Sequence, residues 1–379
     1  MGQFAATFPE NQMNSLTEEH PRYDLAESFG PHLTFDALLA AAGHPELGSL
    51  MLSYGTSAGD PRLRARVAAI QGVEPGEVLT TLGSMHALFL LSSILGRDSE
   101  VVTTSPLFPI ARNALEAVEA RVHEVPLAFE EGYRLSPGAV ASRLTPRTRL
   151  VSLATPQNPT GVASARTDLR AILAEMARVC PEAYLLVDET YREASYGDDA
   201  VAPTAIDLDE RVITCAALSK CHGAPGLRVG WLITRDPRLY AQLEQGKATT
   251  VISLPPLNEA LAAELLERQA NLLAERRRAL GVSLDVTERW VEAHSDIIQW
   301  VRPDAGALCC ARLNPERVEA SLMPQFHEQL GREGVRVSRG EWFRQPEQVF
   351  RLGFGYLPPD DLQKALDIVA SVARTLSRA

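Results

Sequence analysis

Between residues 78 and 233 the chain repeats one pattern, a short and nearly continuous apolar run followed by a stretch of helical periodicity. The runs are VLTT (78–81), EVVTTS (100–105), RVHEVPL (121–127), RLVSLAT (149–155), AYLLVDE (183–189), RVITCAAL (211–218) and LRVGWLI (227–233). A strand with one wet face alternates polar and apolar residues, whereas a strand covered on both faces reads as a continuous apolar run. The pattern therefore predicts an α/β fold, a mainly parallel sheet flanked by helices such as the one beginning near Asp168.

Helical periodicity then takes over from Leu257 to about His294, interrupted near Gly281, and its length predicts a helix connecting two domains. A smaller α+β unit is expected after it: strands at 296–303 and 306–313, a helix from Val318 to Gly331, a strand at 349–356 and a final helix from Pro359 to Ser377. The first 45 or so residues have no strand periodicity of their own and are expected to pack onto this unit. The expected division is a large domain at 46–272 and a small domain made of 1–45 and 273–379.

Composition narrows the function. The 379 residues are 45% hydrophobic and 22% charged, the balance of a chain that buries a sizeable core. A formal net charge of −11 argues against nucleic-acid backbone binding, so an anionic ligand needs locally placed arginines. No apolar run approaches the length of a membrane span, and MGQFAATF lacks the basic and apolar parts of a leader, so a cytoplasmic protein is expected. Five cysteines without zinc spacing imply packing residues and no metal. Of 37 basic residues only Lys220, Lys247 and Lys364 are lysines. In a chain that uses arginine wherever a positive charge suffices, a lysine in an apolar, glycine-rich loop suggests an amine that must lose its proton.

Ligands of open α/β sheets bind beyond the carboxyl ends of the strands. After the first run, Gly83-Ser84-Met85-His86 opens a helix whose N–H groups could hold a phosphate on Ser84 and Met85, or form an ordinary turn. After the second, Phe108 could stack on a flat ring or simply pack. After the fourth, Pro156-Gln157-Asn158-Pro159-Thr160-Gly161 fixes the backbone and aims the Asn158 amide, unless it is a plain turn. Asp188 ends the fifth run, with Tyr191 three residues on; a buried carboxylate needs a cation or a protonated ring nitrogen, or else caps the next segment. The segment Leu218–Trp231 brings Ser219, Lys220 and Arg228 into one loop, where His222 reads as structural.

Taken in order, Tyr54 before GxxxGDxRLR, GSMHAL, SPLF, PQNPTG, DETY, SKCHGAPGLRVGW and FRLGFG resemble the fold type I pyridoxal-phosphate enzymes of the aspartate aminotransferase superfamily, class I/II. The resemblance runs from about Tyr54 to Arg351. It implies pyridoxal 5'-phosphate held by Lys220 as a Schiff base, with Lys220 also moving a proton at the substrate α-carbon. Asp188 would keep the pyridine nitrogen protonated, Tyr191 and Asn158 would bond the ring oxygen, and Phe108 would stack on the ring. Arg228, Ser84, Met85 and Ser219 would hold the phosphate, with Tyr54 reaching it from a second copy in a homodimer. Arg351 would clamp the substrate carboxylate, with Asn158 and Gly30 alongside. Ala217 stands where many relatives carry serine, which weakens the expected phosphate contacts on that side.

Transamination between an α-amino acid and a 2-keto acid is the commonest outcome for this motif set. A second likeness, of DLAESFGPHLTFDALLA, LSYGTSAGDPRLRARVA and LSKCHGAPGLRVGW to the capreomycidine synthases, implies elimination and ring closure on an arginine-derived substrate instead. A pyridoxal-binding transcription regulator is disfavoured, because no helix-turn-helix is visible ahead of the fold. Glu27, Ser28, Gly30 and His32 are candidates for lining the side-chain pocket, and Glu27 there would suit a basic substrate.

Overall fold

The computed structural model describes residues 8–9, 13, 18 and 20–377. Strands β1 (Tyr23–Asp24), β2 (Val78–Thr81), β3 (Glu100–Ser105), β4 (Arg121–Pro126), β5 (Thr148–Ala154), β6 (Tyr184–Asp188), β7 (Val212–Ala217) and β8 (Gly230–Thr234) come first in the chain. All seven apolar runs are strands, and they form one sheet in the order β2-β8-β7-β6-β5-β3-β4. Strands β3 to β7 pair in parallel, but β8 is antiparallel to both β7 and β2. The link from β7 to β8 holds only a 3-10 turn at Pro225–Leu227 and no crossover helix, so the chain returns antiparallel. Arg228, with φ 51, is left-handed, which is why the seventh run begins as strand only at Gly230. Because β8 reverses direction, the carboxyl ends of β2, β3, β5, β6 and β7 all open on one edge, and the 218–229 loop crosses that edge.

The helices are α1 (Phe35–Ala41), α2 (Pro61–Gln71), α3 (Ser84–Leu91), α4 (Pro109–Ala117), α5 (Pro137–Ala141), α6 (Arg166–Val179), α7 (Pro237–Val251), α8 (Pro256–Glu267) and α9 (Gln269–Ala293). Helix α1, although it lies in the segment expected to pack onto the smaller unit, buries Leu38 with Leu63, Val67 and Leu261 of the large-sheet side. The interruption expected at Gly281 is not there. Gly281 lies within α9, and the break falls at Arg268, which has φ −115 and ψ 9. Leu272, early in α9, packs with the large-sheet side, while Leu280, Leu284 and Trp290 enter the core beneath the second sheet.

That second sheet runs β12 (Ser338–Arg339), β13 (Val349–Gly353), β10 (Leu308–Leu313), β9 (Ile298–Trp300), all antiparallel. It is backed by α10 (Met323–Arg332) and α11 (Pro359–Leu376), whose apolar stripes bury Phe326, Leu330, Leu366 and Val369. Helix α10 starts five residues later than the periodicity predicts, after a 3-10 turn at Ala320–Leu322. The N-terminal segment joins this core: β1 pairs in parallel with β11 (Val335–Arg336), and Tyr23 and Leu25 are buried. An Asp24–Arg336 ion pair at 2.5 Å seals the junction.

From there the segment crosses the end of β13. The Gly353 amide donates to Leu25 O at 2.7 Å, and a Cβ on Gly353 would fall 1.6 Å from Glu27 O. Only glycine lets the two backbones approach so closely. Gly353→Ala should therefore lift residues 25–30 off β13 without unfolding the chain. Hydrogen exchange should show faster amide exchange at Gly353 and its neighbours, with protection of β5 and β6 unchanged.

Candidate active site

Asp188 sits at the carboxyl end of β6, flanked on β5 by Ala154, after which the chain turns through Pro156–Gly161. Its Oδ1 accepts from the Thr190 amide at 2.9 Å and from Thr190 Oγ1 at 2.5 Å. Burial raises the Asp188 acid, against the Thr190 bonds, Cys215 and Lys220. Among the described residues it has no ion pair, and Lys220, which lines the same cavity, is the cation that acts on it. Ser84, Met85, Phe108, Asn158, Asp188, Tyr191 and Lys220, seven of the predicted residues, line that cavity together.

Along its wall runs a continuous hydrogen-bonded chain. Arg351 Nη1 donates to Asn158 Oδ1 at 2.9 Å, Asn158 Nδ2 to Tyr191 Oη at 3.4 Å, Tyr191 Oη to Ser28 Oγ at 3.1 Å, and Lys220 Nζ to the same Ser28 Oγ at 2.9 Å. Arg351 is buried and anchored by Ala26 O at 2.5 Å and Ser338 Oγ at 3.1 Å, while its Nε has no partner. Burial lowers the Arg351 pKa, and Tyr191 and Glu27 oppose the shift. Burial also raises Tyr191 to about 12, with Arg351 pulling it down.

Lys220 is the centre of the arrangement. Burial brings its pKa down to about 8; Glu27 resists, and Arg351 and Arg228 push the same way as burial. Its ammonium also lies 4.3 Å from the Phe29 ring centroid. On the far side of Lys220 and Tyr191 is a second cavity of about 770 Å³, lined by Ser28, Phe29, Gly30, His32 and Arg276 among others.

The phosphate end is built from the β2–α3 turn and the Lys220 loop. Gly83 has φ +75, and a Cβ there would lie 2.6 Å from Arg228 Nη2. Arg228 donates to Leu82 O and Pro225 O, both at 3.2 Å, and among the described residues has no carboxylate partner. A guanidinium without a counter-ion beside a helix N-terminus is a donor set suited to a phosphate. With the buried carboxylate of Asp188 at the other end, the residues fit pyridoxal phosphate. Phe108 meets Trp342 edge to face, with centroids 6.4 Å apart.

Five expected residues, Tyr54, Ser219, Arg228, Arg351 and Glu27, line neither cavity within one chain. Tyr54 is 81% exposed, and Ser219 is buried next to Lys220. Thr190 and Phe29 are site residues that the sequence reading passed over; a threonine two residues after a strand-end aspartate was the available signal for the first. His222 is structural, its Nε2 bonded to Gln269 Oε1 at 2.7 Å. All five cysteines are unpaired, and among the described residues no helix is long and apolar enough to cross a membrane.

The model of the aminotransferase class I and II family matches residues 23–369. Capreomycidine synthase of Streptomyces vinaceus is 31% identical over 94% of this chain and 90% of its own. Arginine–pyruvate transaminase of Pseudomonas aeruginosa is 29% identical over 81% of this chain and 77% of its own. Among solved structures, a PLP-dependent aminotransferase from Streptococcus suis superposes with a TM-score of 0.87 at 24% identity, covering 98% and 99% of the two chains.

A free amine, not an ammonium, attacks the cofactor aldehyde. With its pKa at about 8, Lys220 should capture pyridoxal phosphate at a rate that rises with pH up to about 8 and levels off above it. Stopped-flow absorbance of the apo-protein across pH 6 to about 10.5 measures this. A rate still climbing near pH 10 would mean an ordinary lysine, and Lys220→Ala should show no capture at all.

Proposed function

The chain belongs to the aminotransferase class I and II family and takes pyridoxal 5'-phosphate, and from that premise we propose that it moves the amino group between a basic, arginine-like α-amino acid and a 2-keto acid. The observation that carries the substrate class is Glu27. Its carboxylate is half-buried, acts electrostatically on Lys220, Arg351 and His32, and among the described residues makes no hydrogen bond or ion pair. A carboxylate kept without a partner at the edge of the site is a place for a substrate cation. One relative supports this reading by name, the arginine–pyruvate transaminase.

In this reading Arg351 takes the substrate carboxylate as a bidentate pair, with Asn158 already bonded to the same guanidinium. Lys220 would be the base that takes the proton from the substrate α-carbon and holds it on its amine for return; a pKa near 8 suits both directions. Asp188 would hold a proton on the ring nitrogen, and Tyr191 with Asn158 would hydrogen-bond the ring oxygen. Arg228, Ser84, Met85 and Ser219 would hold the phosphate, and Phe108 would cover the ring. When bound, pyridoxal phosphate supplies the electron sink that labilises the bonds at the α-carbon. The two roles of Lys220 need closeness to both cavities, and it lines both.

A homodimer completes the site. Met51, Leu52 and Tyr54 are 75%, 78% and 81% exposed, and Ile252 is 53% exposed with φ 60, strained for a β-branched residue. An apolar stretch of this kind suits a second copy of the chain, which would place Tyr54 on the partner's phosphate.

Elimination and ring closure on an arginine-derived substrate is the second reading. The likeness to capreomycidine synthase over nearly the whole chain favours it, as does a cavity of about 770 Å³ beside Lys220, roomy enough for a folded side chain.

Incubation of the holoenzyme with arginine, lysine, hydroxylated arginines and neutral amino acids separates the two. Keto-acid release with accumulation of the aminated cofactor is the expected result; a cyclic product without it would establish the second reading. Glu27→Gln should lower kcat/KM for basic substrates by roughly 10- to 100-fold, the effect of losing a charged hydrogen bond, and leave neutral ones unchanged. Equal losses for both would remove Glu27 from substrate recognition.

A further inference from the structure

Lys247 is fully buried, although it lies on α7 and touches neither cavity. Its Nζ donates to Thr80 Oγ1 at 2.9 Å, and Thr80 Oγ1 donates onward to Glu259 Oε1 at 2.7 Å. Burial takes Lys247 down to about 8, against Glu259 and Glu244, and raises Glu259. Desolvating a buried lysine and glutamate bridged by one hydroxyl can cost more than their attraction returns.

We propose that Lys247 is a positioning residue, which through Thr80 and Glu259 fastens the Tyr54-bearing loop and the phosphate-binding turn into one rigid body.

The loop side of the fastening is explicit. Glu259 Oε1 also accepts the Asp60 amide at 3.2 Å, the Thr80 amide donates to Ala58 O at 3.1 Å, and Ser57 Oγ donates to Glu244 Oε1 at 2.5 Å. Gly59, at φ +110, lies so close over Thr80 that a Cβ would meet Thr80 Oγ1 at 2.0 Å. Gly55 donates to Ser253 Oγ at 3.2 Å. Residues 55–60, next to Tyr54, are thus clamped onto Thr80 and the two helices behind it.

The turn side runs through His86. The Leu82 amide donates to His86 Nδ1 at 3.2 Å, which leaves the proton on Nε2, 2.9 Å from Thr250 Oγ1. Thr250 Oγ1 donates in turn to Gly246 O at 3.0 Å and Lys247 O at 3.2 Å. Burial and the nearby Lys247 bring His86 down to about 4, so it stays neutral with this tautomer. Thr80 itself is two residues from Leu82, whose carbonyl accepts from Arg228. Arg228 and the Leu82–His86 turn that carries Ser84 and Met85 are thus tied to the Lys247–Thr80–Glu259 bridge through Leu82, His86 and Thr250.

The part that concerns Tyr54 rests on the cross-subunit reading above. The test uses the full chain as apo-protein and measures dissociation constants for pyridoxal 5'-phosphate and for pyridoxal, which lacks the phosphate. Thr80→Val keeps the shape and removes the bridging hydroxyl, Thr80→Ser keeps the hydroxyl, and Lys247→Met removes the amine. Thr80→Val and Lys247→Met should weaken pyridoxal phosphate about 3- to 30-fold, the range of coupling through a packed network, and leave pyridoxal unchanged, while Thr80→Ser behaves as the parent. Equal weakening of both ligands, or no change in a folded Thr80→Val protein, would overturn the proposal. Tyr54→Phe, measured alone, tests the cross-subunit reading separately; combined with Thr80→Val it should add less than its own single effect.

Discussion

The site depends on one hydrogen-bonded chain from Arg351 through Asn158, Tyr191 and Ser28 to Lys220. Its members come from five separate parts of the sequence, and none is oriented by its own element alone. Arg351 stands on β13, Ser28 on the N-terminal segment, Asn158 and Tyr191 beyond neighbouring strands of the large sheet, and Lys220 in the β7–β8 loop. Removing water from this chain shifts Lys220 down and Tyr191 up by the same cause, since burial disfavours whichever form is charged. The fold is what makes that desolvation simultaneous: the parallel strands deliver their carboxyl ends to one edge, and the second sheet covers it with Arg351.

How far this was legible in the sequence varies with the kind of signal. Strands buried on both faces announce themselves as apolar runs, and all seven were found within a residue or so, except where Arg228 turns left-handed ahead of β8. The antiparallel return of β8 was hidden because an apolar run carries no direction. The pairing of β1 with β11 was hidden for a different reason: two-residue strands have no period to detect. The misplaced helix break has a local cause. Glycine lowers helix propensity by about 1 kcal/mol, too little to interrupt a helix whose flanking turns are packed into two cores, and α9 is such a helix.

The site residues divide along similar lines. Lys220, Asp188, Asn158 and Tyr191 follow strand ends, where the architecture itself predicts a ligand, and the structure brings them together. Ser28 and Phe29 reach Lys220 only through tertiary packing, across 192 positions in the case of Ser28. Thr190 was visible as a neighbour of Asp188, but its two bonds to one carboxylate oxygen are a matter of geometry. Tyr54 is exposed within one chain, and its expected role rests on the proposed second copy.

The scarcity of lysine is the compositional fact that gains most from the structure. Of the three lysines, Lys364 is an exposed partner of Asp361, while Lys220 and Lys247 are both buried and both brought to about 8. Scarcity alone therefore does not mark a reactive amine; it marks positions where a guanidinium will not serve. For Lys220 the reason is chemical, because a guanidinium keeps its proton and cannot act as a nucleophile or a base. For Lys247 the reason is steric and directional. A compact ammonium can point one donor at Thr80 from inside a helix–sheet interface, where the planar fork of an arginine would need several acceptors. The two buried lysines thus meet different demands in the proposed reading, Lys220 at the reacting bond and Lys247 behind the frame that holds it.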